Sequence, residues 1–126
     1  MSPAPRVLVV DDEPTLVRVL VRILQRDGFT AVGALNGAEA IARAEAEPFD
    51  LILCDVRMPG LDGPSTLCEL QRRMPDVPPV VFLTGYADMT DAALLRLGAC
   101  AVYGKPIEAA TVRDIVKTWA RRAHAA

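Results

Sequence analysis

The chain is poor in the residues that most often carry enzyme chemistry. It has a single histidine, His124, near its C-terminal end. A catalytic histidine or a histidine-based metal site is thereby set aside. Its three cysteines, Cys54, Cys68 and Cys100, cannot all pair with one another, and none has metal-ligand spacing. Each lies in an apolar segment, so all three are expected to be buried, reduced thiols. No basic block stands out, and the formal net charge is -2. That balance argues against direct nucleic-acid binding. The Arg121-Arg122 pair is expected in the solvated last turn of a helix, where cations suit the dipole. No apolar run is long enough to cross a bilayer, and the stretch Met1 to Arg6 lacks a signal-peptide hydrophobic region. A cytoplasmic protein without membrane contact is the expectation. Internal repeats and low-complexity linkers are also missing.

What is present fits one globular domain. The 126 residues are 52% hydrophobic and 24% charged. A single domain over 1–126 is expected, with its core at about residues 6–122 and no output domain. Arg6 to Val10 reads as a first strand that ends at Asp11-Asp12-Glu13. Pro14 suits the first turn of a helix, with an apolar stripe of Leu16, Leu20, Ile23 and Leu24, and Gly28 ends it. Phe29 to Leu35 is a weaker second strand. Asn36 with Glu39 resembles a capping box for a second helix through Ala40, Ile41 and Ala44, broken by Pro48. Leu51-Ile52-Leu53-Cys54 reads as a strand buried on both faces, stopped by Asp55. Pro59, Gly60 and Gly63 take the chain out of the sheet. Leu67, Leu70 and Met74 mark a third helix closed by Pro75. Pro79 to Leu83 is a fourth strand ending at Thr84-Gly85. Asp88 is placed to cap a short helix that stops at Gly98. Ala99 to Tyr103 is the fifth strand, ending at Lys105-Pro106. Val112, Ile115, Val116 and Trp119 give the last helix one apolar face.

Strands alternating with helices imply an α/β fold, a parallel sheet with helices on both faces. Right-handed crossovers put all strand C-termini on one edge, where open α/β sheets carry their functional crevice. That edge holds Asp11, Asp12, Asp55, Thr84 and Lys105. Helix capping explains any one of them, but not three acids, a hydroxyl and an ammonium at the ends of four strands. Oxygen-only ligands point to Mg²⁺, with Mn²⁺ as the alternative. Crowding of the three carboxylates is expected to raise their pKa values. Mg²⁺ favours phosphate as the bound group, with Lys105 and the Thr84 hydroxyl serving its oxygens. No Ser–His or Cys–His pair is available, so a carboxylate must be the nucleophile and form an acyl phosphate. Asp55, ending the central strand, is the natural candidate.

Four motifs in order then meet a family: Val10-Asp11-Asp12-Glu13, Asp55-Val56-Arg57-Met58-Pro59-Gly60-Leu61-Asp62-Gly63, Leu83-Thr84-Gly85, and Lys105-Pro106. From Val7 to Trp119 the sequence resembles a response-regulator receiver domain, the CheY-like phosphoacceptor of two-component signalling. The resemblance implies five strands in the order 2-1-3-4-5. It implies a phosphorylation-dependent switch in which Asp55 accepts a phosphoryl group from a histidine kinase or a histidine phosphotransfer domain. It implies direct ligation of Mg²⁺ by Asp12 and Asp55, with Asp11 acting through water and Arg57 through its backbone carbonyl. Lys105 and Thr84 would hold the phosphoryl group. A downstream protein would read the surface near the fourth strand, fourth helix and fifth strand, and a homodimer is compatible with this role. No turnover of an external substrate is expected.

Three positions depart from the family pattern. Val102 stands where an aromatic switch residue is usual, and Tyr103, one place later, should face the other side of its strand. The segment from Thr84 to Gly98 is about one residue short, which abbreviates the fourth helix. Pro64 replaces a commonly apolar residue and is tolerated at a helix start. Three rival readings are weaker. An aspartyl phosphohydrolase would carry Asp-x-Asp after the first strand, whereas Asp11 is followed by Asp12, Glu13 and Pro14. A receiver-fold scaffold that is never phosphorylated would not need the acids, Thr84 and Lys105. A flavin-binding protein would need a Ser/Thr-rich phosphate loop after the first strand.

Overall fold

A computed structural model of the chain describes residues 4–85 and 89–121. The elements alternate as β1 (Arg6–Val10), α1 (Pro14–Arg26), β2 (Thr30–Ala34), α2 (Gly37–Ala46), β3 (Leu51–Asp55), α3 (Gly63–Arg73), β4 (Val80–Thr84), α4 (Asp91–Leu97), β5 (Ala101–Gly104) and α5 (Ala109–Trp119). The strands form one parallel sheet in the order β2-β1-β3-β4-β5. β3 is central and buried along its whole length, as its unbroken apolar run requires.

Alternation along the strands feeds two apolar layers. On one face, Leu8, Val10, Ile52, Cys54, Val80 and Phe82 pack with residues of α2, α3 and α4. On the other, Val7, Val9, Leu51, Leu53, Val81 and Leu83 pack with Leu20 and Leu24 of α1 and Val112, Ile115 and Val116 of α5. Val17 joins the core of α1 beside the expected stripe. Pro14 stands in the first turn of α1 and Pro64 in that of α3. The Asn36 side chain caps α2 by accepting from the Glu39 N–H at 2.7 Å. The Glu39 carboxylate turns to Arg43.

Several expectations are corrected. Cys54 is buried and Cys100 half-buried, but Cys68 is exposed. α3 buries Gly63, Thr66, Leu67 and Leu70, and Cys68 lies about 100° around the helix from Leu67. Arg121 is outside α5, not in its last turn. Its N–H donates to the Asp50 carbonyl at 2.7 Å. Its guanidinium bonds the Asp76 carboxylate at 3.0 and 3.2 Å and the Val77 carbonyl at 2.7 Å. A carboxylate and a carbonyl at the sheet's lower edge offer this cation more than a helix end in water does. Arg122 and His124 lie outside the described residues, as does Asp88, the expected cap of α4. The cap is Thr90, whose hydroxyl accepts from the Ala93 N–H at 3.1 Å. α4 spans only seven residues.

Candidate functional site

The sheet register brings the predicted residues together. Val10 pairs with Cys54, so Asp11 leaves β1 beside Asp55. Asp55 pairs with Leu83, and Thr84 with Gly104, so Thr84 and Lys105 follow one step further along the same edge. Carboxylate oxygens of Asp11, Asp12 and Asp55 all lie within 4.8 Å of one another. Asp11 and Asp55 are 2% and 9% exposed, whereas Asp12 faces solvent. The result is a pocket with two buried acidic walls and one open side. Thr84 is half-buried at its rim, and the Thr84 carbonyl accepts from the Lys105 N–H at 2.9 Å.

Helix capping falls to other groups. The Asp62 carboxylate caps α3, accepting from the Ser65 N–H at 2.8 Å. The Asp11 carboxylate accepts from the Glu13 N–H at 3.0 Å just before α1. Asp55 caps no helix. The Arg57 backbone, expected to act through its carbonyl, also favours the charged form of the Asp55 carboxyl, an influence that sequence reasoning missed. Gly63 is the other missed contributor. A Cβ there would stand 2.3 Å from the Asp55 carbonyl oxygen and 2.8 Å from the Phe82 ring. Its lack of a side chain lets α3 start directly against the end of β3.

Lys105 is the cation of the pocket. Its Nζ lies 2.6 Å from Asp11 Oδ2 and 3.3 Å from Asp55 Oδ2, so it bridges the two buried acids. Burial pushes the Asp55 carboxyl above its ordinary range; Lys105 opposes that shift and the charge of Asp11 adds to it. Desolvation therefore outranks the carboxylate crowding expected from sequence. Burial alone would pull Lys105 down, but its hydrogen bond to Asp11 and the charges of Asp11 and Asp55 carry it above its usual value. The pocket thus favours the charged form of Lys105 and disfavours that of Asp55. The neighbouring Cys54 thiol is pushed far up, first by burial and then by the charge of Asp55, and stays protonated.

Donor chemistry decides which ion the pocket fits. Three hard carboxylates, two of them walled off from water and one open, suit an oxygen-seeking divalent cation such as Mg²⁺ or Mn²⁺. Next to the pocket, Leu16, Leu20, Leu83, Gly85, Lys105, Pro106 and Ile107 line a cleft of about 460 Å³. Gly85 has open space where a side chain would be. Val102 packs in the layer under α2 to α4 and Tyr103 in the opposite layer. There the Tyr103 hydroxyl accepts from Trp119 Nε1 at 2.9 Å. The aromatic ring of β5 therefore stands on the far face from Val102.

Comparison with known proteins agrees with this geometry. The chain is 38% identical over 122 residues to the alkaline phosphatase synthesis transcriptional regulatory protein PhoP of Bacillus subtilis, covering 96% of this chain and 50% of that protein. It thus spans about half the length of that relative, and less of other curated relatives. Its fold is similar to a CheY-like response regulator receiver domain protein of Methanospirillum hungatei, with a TM-score of 0.83 and 28% identity over 91% of this chain and 92% of that one. It is also similar to the response regulator TrrA of Thermotoga maritima, solved in complex with Mg²⁺ and BeF, with a TM-score of 0.80 and 29% identity over 91% of this chain and 98% of that one. Residues 7–117 match the family model of the response regulator receiver domain, and the chain belongs to that family.

Proposed function

We propose that this chain is the phosphorylation-dependent switch of a two-component or phosphorelay system, with Asp55 as the phosphoacceptor. One observation carries the reading: a buried carboxylate that caps no helix, at the end of the central strand, with two further acids and one ammonium within reach. Mg²⁺ would be held by Asp12 and Asp55 directly, by Asp11 through water and by the Arg57 carbonyl. When bound it supplies positive charge for the phosphoryl oxygens. An Asp55 carboxylate oxygen attacks phosphorus in line; the bond from phosphorus to the donor's imidazole nitrogen breaks as the new P–O bond forms. Lys105 moves from Asp11 toward the transferred group and neutralises one oxygen. The Thr84 hydroxyl donates to another.

The donor is a histidine kinase or a histidine phosphotransfer domain, and a downstream protein reads the altered surface. Membership of the receiver family supports both partners and the absence of external-substrate turnover. Among the described residues no helix is long and apolar enough to cross a membrane.

The test is intact mass after treatment with acetyl phosphate and Mg²⁺. Wild type should gain one phosphoryl group and Asp55→Asn none. Equal labelling of both would move the acceptor elsewhere. Hydrolysis of p-nitrophenyl phosphate by the wild type would favour a phosphohydrolase instead.

A further inference from the structure

We propose that the cleft beside Lys105 seats the acyl chain of a small phosphodonor, so that Asp55 is phosphorylated faster by acyl phosphates with a longer aliphatic chain than by acetyl phosphate. The inference rests on Asp55 as the phosphoacceptor and adds the class of donor that its surroundings prefer. The cleft holds about 460 Å³, a volume within the range of small-ligand sites. Its wall is apolar, built by Leu16 and Leu20 of α1, Leu83 of β4, and Pro106 and Ile107 after β5. Among the described residues that line it, only Lys105 is charged. Leu20 and Leu83 belong to the buried layer under α1 and α5, which fixes them in place. Leu16 and Ile107 are half-buried and pack against that layer. Over Gly85 the space is open, since a Cβ there would meet nothing within 4 Å.

The cleft and the carboxylate pocket share a boundary. Lys105 lines the cleft, and its Nζ lies 3.3 Å from Asp55 Oδ2. Leu83 of the cleft is the register partner of Asp55 on the neighbouring strand. A phosphoryl group attacked by Asp55 is therefore next to apolar wall. Asp11 and Asp12 bound the pocket with charge, and an aliphatic chain gains nothing by lying on them. In an acyl phosphate the bond from phosphorus to the acyl oxygen breaks as the bond to the Asp55 oxygen forms. The carboxylate that leaves keeps the electron pair and needs no proton. Its growing charge suits Lys105, and its chain suits the leucines and Ile107. An acetyl methyl covers little of that wall, and a propionyl or butyryl chain covers more. Burying a methylene favours the bound donor by up to about fourfold, the ratio that ~0.8 kcal/mol gives. With the donor below saturation, that gain appears as a faster reaction.

The full chain is treated with Mg²⁺ and acetyl, propionyl or butyryl phosphate at equal, sub-saturating concentrations, and the gain of one phosphoryl group is followed by intact mass. The three leaving carboxylates have nearly the same basicity, so the donors differ chiefly in chain length. Labelling should speed up from acetyl to butyryl, by up to about fourfold for each added methylene. Leu16→Gln keeps a good helix former, and Ile107→Thr keeps a β-branched side chain; each puts a polar group into the cleft. Each should bring the butyryl-to-acetyl rate ratio down toward one. The ratio is taken within one protein, so a loss of folded fraction in a variant cancels. Equal rates with all three donors in the wild type overturn the inference and leave Asp55 as the acceptor. A butyryl preference that survives both variants overturns it too, because the chain then lies elsewhere. Labelling by none of the three overturns the reading of Asp55 and this inference with it.

Discussion

Asp55 holds its carboxyl in a place that disfavours charge. Burial raises its pKa in the folded state, and Lys105 only partly offsets the shift. Between the ordinary carboxylate value and the raised one, the folded protein binds more protons than the unfolded chain. Stability of the metal-free protein therefore falls as pH rises through that window, and the loss is relieved as pH falls. Asp55→Asn removes the titration. Without Mg²⁺ it should melt at or above the wild-type temperature at neutral pH, and the two should converge in acid. Thermal melts across pH check this; a mutant less stable at neutral pH would show that the ion pair with Lys105 outweighs burial.

The elements show how neighbouring carboxylates come to different uses. Asp62 is fixed at the start of α3 by the Ser65 N–H, while Asp55 is left to the pocket. Asp62→Ala should cost about 1 kcal/mol of stability, as loss of an N-cap does, and should leave labelling by acetyl phosphate intact. Failure to label would give Asp62 a chemical role that its position at the cap does not explain. β5 carries the second contrast. Val102 is short and stiff at χ1 and has no ring to swing into space that a shift of Thr84 would open. The Tyr103 ring, on the opposite face, is tied to α5 by the Trp119 hydrogen bond. Beryllofluoride with Mg²⁺, which imitates the phosphoryl group, should shift Thr84 and Gly85 toward Asp55. Trp119 fluorescence and the Tyr103 rotamer should stay as they are. A Tyr103 ring buried beside Thr84 in that complex would mean that β5 changes register.

At the scale of the whole molecule, the pocket links distant segments. Lys105 and Asp11 are 94 residues apart in the chain and 2.6 Å apart in the fold. A cation that binds only the folded arrangement stabilises all of it. Above its dissociation constant, Mg²⁺ should add about 1.4 kcal/mol for each tenfold rise in concentration. Lys105→Ala leaves the Asp11 carboxylate, 3% exposed, without its ammonium. The metal-free variant should lose about 1–3 kcal/mol, less than a fully buried pair would. Its response to Mg²⁺ should be kept or enlarged, because the three carboxylates remain. A variant that no longer responds in a melting titration would make Lys105 part of the cation site.

Much of this protein was legible in the chain. The buried run Leu51 to Cys54, the acids after two strands and the stripe of α5 are local patterns, set by the spacing of neighbours. Period-two alternation alone put Val102 and Tyr103 on opposite faces. The resemblance supplied the strand order, which local pattern does not carry. Other features depend on where far segments meet. That Asp62 rather than Asp55 caps α3 was decided by the geometry around the two. The exposure of Cys68 followed from the rotation of α3 on the sheet. The placement of Arg121 followed from carbonyls that only the assembled lower edge presents. That Lys105 rests on Asp11, and that Asp27 goes to Arg113, required the register of the whole sheet and the packing of α5 on α1. Such pairings are contests among partners distant in sequence, and only tertiary structure ranks the distances.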